Sequence, residues 1–297
     1  MKRVLAQAVL IIALFAVPCL AEEMKDVKIK TIRVAEGIHM LRGKGGNIGV
    51  FSGKDGVFLV DDQFAPLTAR IREAVREISP EEIRFLINTH WHGDHVGGNE
   101  NFGKAGTVIF AHENVRKRMS SEQFMEFFNR RVPAAPKAAL PVVTFTRDIA
   151  FHLNGEEVRV FHAAGAHTDG DAVVVFTTSN VIHAGDLYFA GAYPFIDLGS
   201  GGSVDGVIAA LKRILSLADG DTKIIPGHGH LSNREELSGY LKMLSDVRDR
   251  VARLVSQGKT LETILRERPS RDYDEKWGGG FIGPEKFIRI LHGDLTR

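Results

Sequence analysis

The chain has 297 residues, 44% of them hydrophobic, with 38 Lys+Arg against 37 Asp+Glu. That composition supplies a packed core and excludes disorder, collagen and coiled coil. A formal charge of +1, with no basic run beyond Arg116-Lys117-Arg118, offers no field to attract a phosphate backbone and argues against a nucleic-acid partner.

In chain order, residues 1–21 begin with Lys2-Arg3, continue through apolar Val4–Leu20 and close on Ala21 before Glu22-Glu23. This is the charged, apolar and small-residue order of a secretory signal. The apolar run is interrupted by Gln7 and Pro18 and is short for a bilayer span. The expectation is cleavage after Ala21, a periplasmic or secreted protein without stable membrane insertion, and one mature domain over residues 22–297. Pro18 stands where a lipoprotein signal needs a small residue, which argues against lipidation at Cys19. Because Cys19 is the only cysteine, such a mature chain forms no disulfide and relies on core and metal for stability.

β-like runs at Ile29–Val34, Ile48–Ser52 and Val57–Val60, separated by Gly43-Lys44-Gly45-Gly46 and Gly53-Lys54-Asp55-Gly56, predict an antiparallel half-sheet. Phe64, Leu67, Ile71, Val75 and Ile78 recur at spacings of three and four and predict a helix ending at Ser79-Pro80. Strands Ile83–Asn88 and Thr107–Phe110 follow, then a helix from Glu113 to Arg131 and an irregular loop at Pro133, Pro136 and Pro141. The second half repeats the order: strands Ile149–Leu153, Val158–Phe161, Ala172–Thr177 and Val181–His183, helix Val204–Leu217, strand Lys223–Ile225 and helix Glu235–Ser256. Strands followed by helices, twice, predict two sheets packed face to face with helices outside.

The chemistry concentrates in His90-Trp91-His92-Gly93-Asp94-His95, directly after an apolar strand. Imidazoles and carboxylates are standard ligands of divalent zinc. Neighbouring residues of a turn point in different directions, so His90 and His92 can converge on one ion while Asp94 and His95 reach a second. Trp91, between them, is expected to pack rather than react.

His90-x-His92-x-Asp94-His95 resembles the signature of the metallo-β-lactamase superfamily. Ala166-His167-Thr168, His183-Ala184-Gly185-Asp186 and Pro226-Gly227-His228-Gly229 resemble that family's later motifs, in its order. The resemblance implies an α+β fold, a four-layer αββα sandwich with the site on one edge between the sheets. It also implies a first metal on His90, His92 and His167, a second on Asp94, His95 and His228, and Asp186 as the bridge. Asp94 would also take part in catalysis. Two such ions, zinc first with iron or manganese as alternatives, would activate a shared water as a hydroxide nucleophile. Asp61 resembles the family's buried Asp and would orient a ligating His, or else is a turn carboxylate partnered by Asp62. Thr168 would either support His167 similarly or cap a turn.

Zinc β-lactamases carry Cys at the bridging position and Lys three residues later. Here Asp186 is followed by Leu187-Tyr188-Phe189, which leaves β-lactam hydrolysis a secondary reading. Tyr188, Phe189, Tyr193, Phe195 and Phe64 would form an aromatic mouth, and Gly43–Gly46 a flap over it. The expected activity is hydrolysis of a small ester, lactone, thioester or amide. An iron-dependent oxidoreductase on the same fold is the alternative of another class.

Overall fold

The computed structural model describes residues 22–297. The expected signal segment, with Cys19 and the Ala21 cleavage point, lies outside the described residues.

Seven strands build the first sheet: β1 (Lys30–Ala35), β2 (Ile38–Arg42), β3 (Ile48–Gly53), β4 (Gly56–Val60), β5 (Ile83–Ile87), β6 (Val108–His112) and β9 (Val143–Phe145), adjacent in that order. The first three pairings are antiparallel and the last three parallel. The second sheet orders β10 (Asp148–Leu153), β11 (Glu156–Ala163), β12 (Asp171–Phe176), β13 (Val181–Phe189), β14 (Lys223–His228) and β15 (Ser232–Asn233). Here only β13 and β14 run parallel.

Strand alternation explains the layers. In β4 every residue is buried. Phe58 and Val60 join the core between the sheets, whereas Val57 and Leu59 face the outer core with Ile71 and Val75. Those two belong to α1 (Thr68–Ile78), preceded by a short 3-10 turn. The second sheet divides likewise: Val174 and Val181 face inward, and Val173 and Ile182 face the helices. Full burial of each such side chain contributes about 1.5–3 kcal/mol.

The outer helices are α5 (Val204–Leu217) and α6 (Arg234–Ser256). Ser203 accepts from Gly206 N at 3.0 Å and Asn233 from Glu236 N at 3.0 Å, which caps both. Leu237, Tyr240, Leu244, Val247 and Val251 give α6 one buried stripe at helical spacing. Three further helices, α7 (Leu261–Glu267), α8 (Arg271–Trp277) and α9 (Pro284–Thr296), complete that layer. The result is the expected αββα sandwich. Among the described residues no helix is long and apolar enough to cross a membrane.

Several local expectations are corrected. The helix expected over Glu113–Arg131 stops as α4 (Glu113–Met119). Val115 and Met119 are its buried residues, and from Gln123 to Arg131 every residue is partly or fully exposed, so a longer helix would bury nothing. The chain instead forms a hairpin, β7 (Gln123–Met125) with β8 (Arg130–Val132). Strand β2 and edge strand β9 were not anticipated. Helices α7 to α9 carried no expectation.

Candidate metal centre

The seven expected ligands come from four separated segments that meet on one edge of the sandwich. His90 and His92 lie in the turn after β5. Asp94 and His95 occupy the one-turn helix α2 (Gly93–Val96), which precedes α3 (Asn99–Lys104). His167 follows β11, Asp186 lies in β13 and His228 ends β14.

Their donor atoms form two groups, each able to hold a metal ion: His90, His92, His167 and Asp186, and beside them Asp94, His95 and His228. His92 Nδ1 lies 3.1 Å from His90 Nε2 and 3.0 Å from His167 Nε2. Asp186 lies between the groups. Its Oδ2 is 3.6 Å from His167 Nε2 and 3.4 Å from His228 Nε2, and its Oδ1 is 3.1 Å from His95 Nε2. A Cβ at residue 227 would sit 2.0 Å from Asp186 Oδ1, so only glycine lets the carboxylate occupy this position. Gly46 plays the same part for His95, whose ring would meet a Cβ at 2.2 Å.

The outer nitrogens decide what the inner ones can do. His92 Nε2 is 2.9 Å from Asp197 Oδ2, and His167 Nδ1 is 2.8 Å from the carbonyl of Phe195. His95 Nδ1 is 2.7 Å from Asp61 Oδ2. The Thr89 hydroxyl donates to Asp61 at 2.7 Å and therefore accepts from His90 Nδ1 at 3.0 Å. On His90, His92 and His167 the acceptor draws the ring proton outward and leaves a lone pair facing the centre. Three imidazole lone pairs about 3 Å apart repel one another unless a cation lies among them.

Electrostatics agree. Burial pushes His90 well below the usual imidazole value and His167 down to about 4, keeping both neutral. Burial opposes charge on His95 and His228 too, but Asp186 and Asp94 outweigh it, holding His95 well up and His228 at about 9. Against burial, His95 and His228 in turn hold Asp94 at about 2 and Asp186 well below the carboxylate range. The ionised carboxylates of Asp94 and Asp186 beside the neutral rings of His90 and His167 make a pocket that draws positive charge, so the donor set fits divalent metal ions.

The surroundings sort the remaining expectations. Asp61 supports His95 and also accepts from Thr89 N at 2.7 Å. It does so at φ 64°, a left-handed conformation that these bonds hold in place. Thr168 does not support His167 by its side chain: its hydroxyl donates to Asp171 at 2.6 Å and its N–H to the same carboxylate at 2.8 Å, closing a turn. Trp91 packs with Val96, Ala111 and Val115, as expected. Gly43–Gly46 forms a wall rather than a flap. Gly46 N donates to Asp94 O at 3.1 Å and Asn47 N to Gly227 O at 2.7 Å, while the Asn47 side chain donates to Pro226 O at 2.9 Å. Of the expected aromatic mouth, Phe195 stands 5.7 Å from the His167 ring and Phe189 stacks on His228 at 5.2 Å. Tyr188 and Tyr193 instead pack into the helix-side core against Tyr240 and Phe287, because outward positions of β13 and its following loop face α6 and α9.

Asp197, Thr89 and Asn47 were missed. Each acts through a bond to a residue distant in sequence or to a histidine's outer nitrogen, and no local motif marks such a role.

The family model of the metallo-beta-lactamase superfamily matches residues 41–230. The chain belongs to the metallo-beta-lactamase superfamily. As a superfamily member it is 22% identical over 156 residues to a metallo-beta-lactamase type 2 of Bacteroides fragilis, spanning 52% of this chain and 56% of that protein. It is 23% identical over 180 residues to a hydroxyacylglutathione hydrolase of Pelagibacter ubique (strain HTCC1062), spanning 55% of this chain and 64% of that one. The matches thus span less than two thirds of these curated relatives. The solved structure of a metallo-beta-lactamase from Pontibacter korlensis superposes with a TM-score of 0.61 at 19% identity, covering 74% of this chain and 100% of that one. At this identity the likeness concerns the fold.

Proposed function

We propose that the protein is an exported, dinuclear, metal-dependent hydrolase of small esters, lactones, thioesters or amides. The observation that carries the reading is the inward lone pairs of His90, His92 and His167, each set by an acceptor on the ring's far side, beside the carboxylate of Asp186. His90, His92 and His167 would hold one ion, Asp94, His95 and His228 the other, and Asp186 both, with zinc the expected metal.

Bound ions of this kind lower the pKa of water toward neutrality and polarise a substrate carbonyl. The protein's own part is positional. Asp94, held at about 2, stays ionised throughout the working range, so its carboxylate accepts a hydrogen bond from the attacking water and orients it. It is too weak a base to remove the proton unaided. The Gly46 to Asn47 wall, tied to Asp94 and to Gly227 beside His228, holds the two arms of the second half-site together. No serine or cysteine nucleophile is needed.

The test is a hydrolysis screen of metal-loaded protein against lactones, aryl esters, thioesters, phosphodiesters and β-lactams, with metal analysis of the same preparation. Turnover of a lactone, ester, thioester or amide that is abolished by a chelator supports the reading. Turnover insensitive to the chelator, or redox activity with bound iron and no hydrolysis, overturns it. Export is tested separately by the N-terminal sequence of the protein recovered from fractionated cells, expected to begin at Glu22.

A further inference from the structure

The hairpin that replaced the expected long helix carries Phe127 and Phe128 on its turn, 38% and 44% exposed, and Phe281 before α9 is 61% exposed. Large aromatic side chains cost free energy in water, and a cluster of them marks a binding surface more often than a structural need. These three are in contact. Phe128 stacks on Phe281 at 5.9 Å with an interplanar angle of 20°, and Phe127 lies 5.1 Å from Phe128 and 6.0 Å from Phe281. Lys286 places its ammonium 5.3 Å over the Phe281 ring and 5.6 Å over Phe127, so the cluster's outer rim is cationic.

The cluster also reaches the metal centre. Phe127 is 4.8 Å and Phe128 5.7 Å from Phe195, and Phe195 is 5.8 Å from the His92 ring. A chain of ring contacts therefore runs from the half-site of His90, His92 and His167 through buried Phe195 to the exposed cluster. Its members come from three segments far apart in sequence, the hairpin, the loop after β13 and the approach to α9.

We infer that Phe195, Phe127, Phe128 and Phe281 form a subsite for the apolar arm of the substrate, so that the enzyme selects a scissile carbonyl bearing an extended alkyl or aryl group. This deepens the hydrolase reading above and rests on it. The occupant is the substrate because the cluster is joined to the reacting centre by ring contacts through Phe195, and because an arm of several carbons spans rings whose centroids stand 5–6 Å apart.

The experiment measures kcat/KM for γ-lactones bearing ethyl to heptyl arms on the metal-loaded protein. Full burial of a methylene gives roughly fourfold in binding, and a half-open surface about twofold, so the heptyl to ethyl ratio is expected near ~30. The Phe128→Ala/Phe281→Ala double variant, at exposed positions where folding is little affected, should bring that ratio below about five. Phe124→Ala, on the same hairpin with its ring facing Arg131, should keep it. Calorimetric titration with hexan-1-ol and octan-1-ol reads the subsite without turnover, so it still decides if no lactone is cleaved and the hydrolase reading fails. Tighter binding of octan-1-ol, lost in the double variant, upholds the subsite. A flat ratio in the parent, a ratio unchanged in the double variant, or a dimer that the double variant dissociates with no change in either measurement overturns it.

Discussion

Asp197 reaches His92 across 105 positions of sequence, its Oδ2 2.9 Å from Nε2, and so determines which nitrogen of that histidine faces the centre. Burial opposes its charge, but His92 outweighs burial and holds the carboxylate at about 2. It is ionised at any working pH.

Asp197→Ala should therefore lower metal affinity of the His90, His92 and His167 half-site by about 10–100-fold, as removal of such a support does elsewhere. Asp197→Asn should lose less, since an amide oxygen still accepts the imidazole proton. Metal titration followed by calorimetry checks both, with circular dichroism to confirm that the fold persists.

The seven expected ligand positions were legible because each sits inside a short local pattern in or just after a strand, and these segments converge on one edge of a sandwich. Asp197 was not, since it stands in an irregular loop and its partner is chosen by tertiary packing alone. The hairpin was misread for a related reason. Phe124, Phe127 and Phe128 recur at spacings of three and four among themselves, and spacing cannot separate a buried stripe from an exposed functional one. Tyr188 and Tyr193 failed in the opposite sense: aromatic composition near a motif indicated a mouth, but the register shift of β13 between Gly185 and Phe189 leaves Tyr188 in the helix-side core.

Gly46→Ala tests the wall. The added methyl would meet His95 Cε1 at 2.2 Å, so the ring must move away from Asp61 and the second ion. Second-ion occupancy and hydrolysis should fall together by tenfold or more in order of magnitude, with a small change in thermal midpoint. Unchanged occupancy would place His95 outside the metal sphere.

His183 supplies a pH signature from outside the seven expected ligands. Its Nε2–H donates to Asn47 O at 3.2 Å and its Nδ1 accepts from Gly185 N at 3.2 Å, so the neutral ring is satisfied twice. Burial pushes it down to about 4. A depressed value means that the unfolded chain binds the proton first, so stability is full above about 6.5 and declines as pH falls toward 4. The decline attributable to this ring is about 3 kcal/mol in order of magnitude. In metal-free protein, denaturant midpoints for His183→Gln should fall less steeply than the parent over that window.

β-Lactam hydrolysis should be weak beside that of neutral lactones or aryl esters. Phe189 stacks on His228 at the place where zinc β-lactamases carry their lysine. The missing ionic hydrogen bond to the antibiotic's carboxylate is worth about 1.5–3 kcal/mol, or roughly ten- to a hundredfold in kcat/KM. Steady-state comparison of penicillins, cephalosporins and carbapenems with neutral substrates measures the gap.

The central claim is a pair of metal ions shared through Asp186, and metal content per chain alongside hydrolysis in the parent and in Asp94→Ala tests it most directly. The parent should hold two ions. The variant, whose lost carboxylate lies 3.3 Å from His228 Nε2, should fall toward one and lose hydrolysis while staying folded, because neither sheet depends on that side chain. A single ion in the parent, with activity fully retained in Asp94→Ala, would contradict the account.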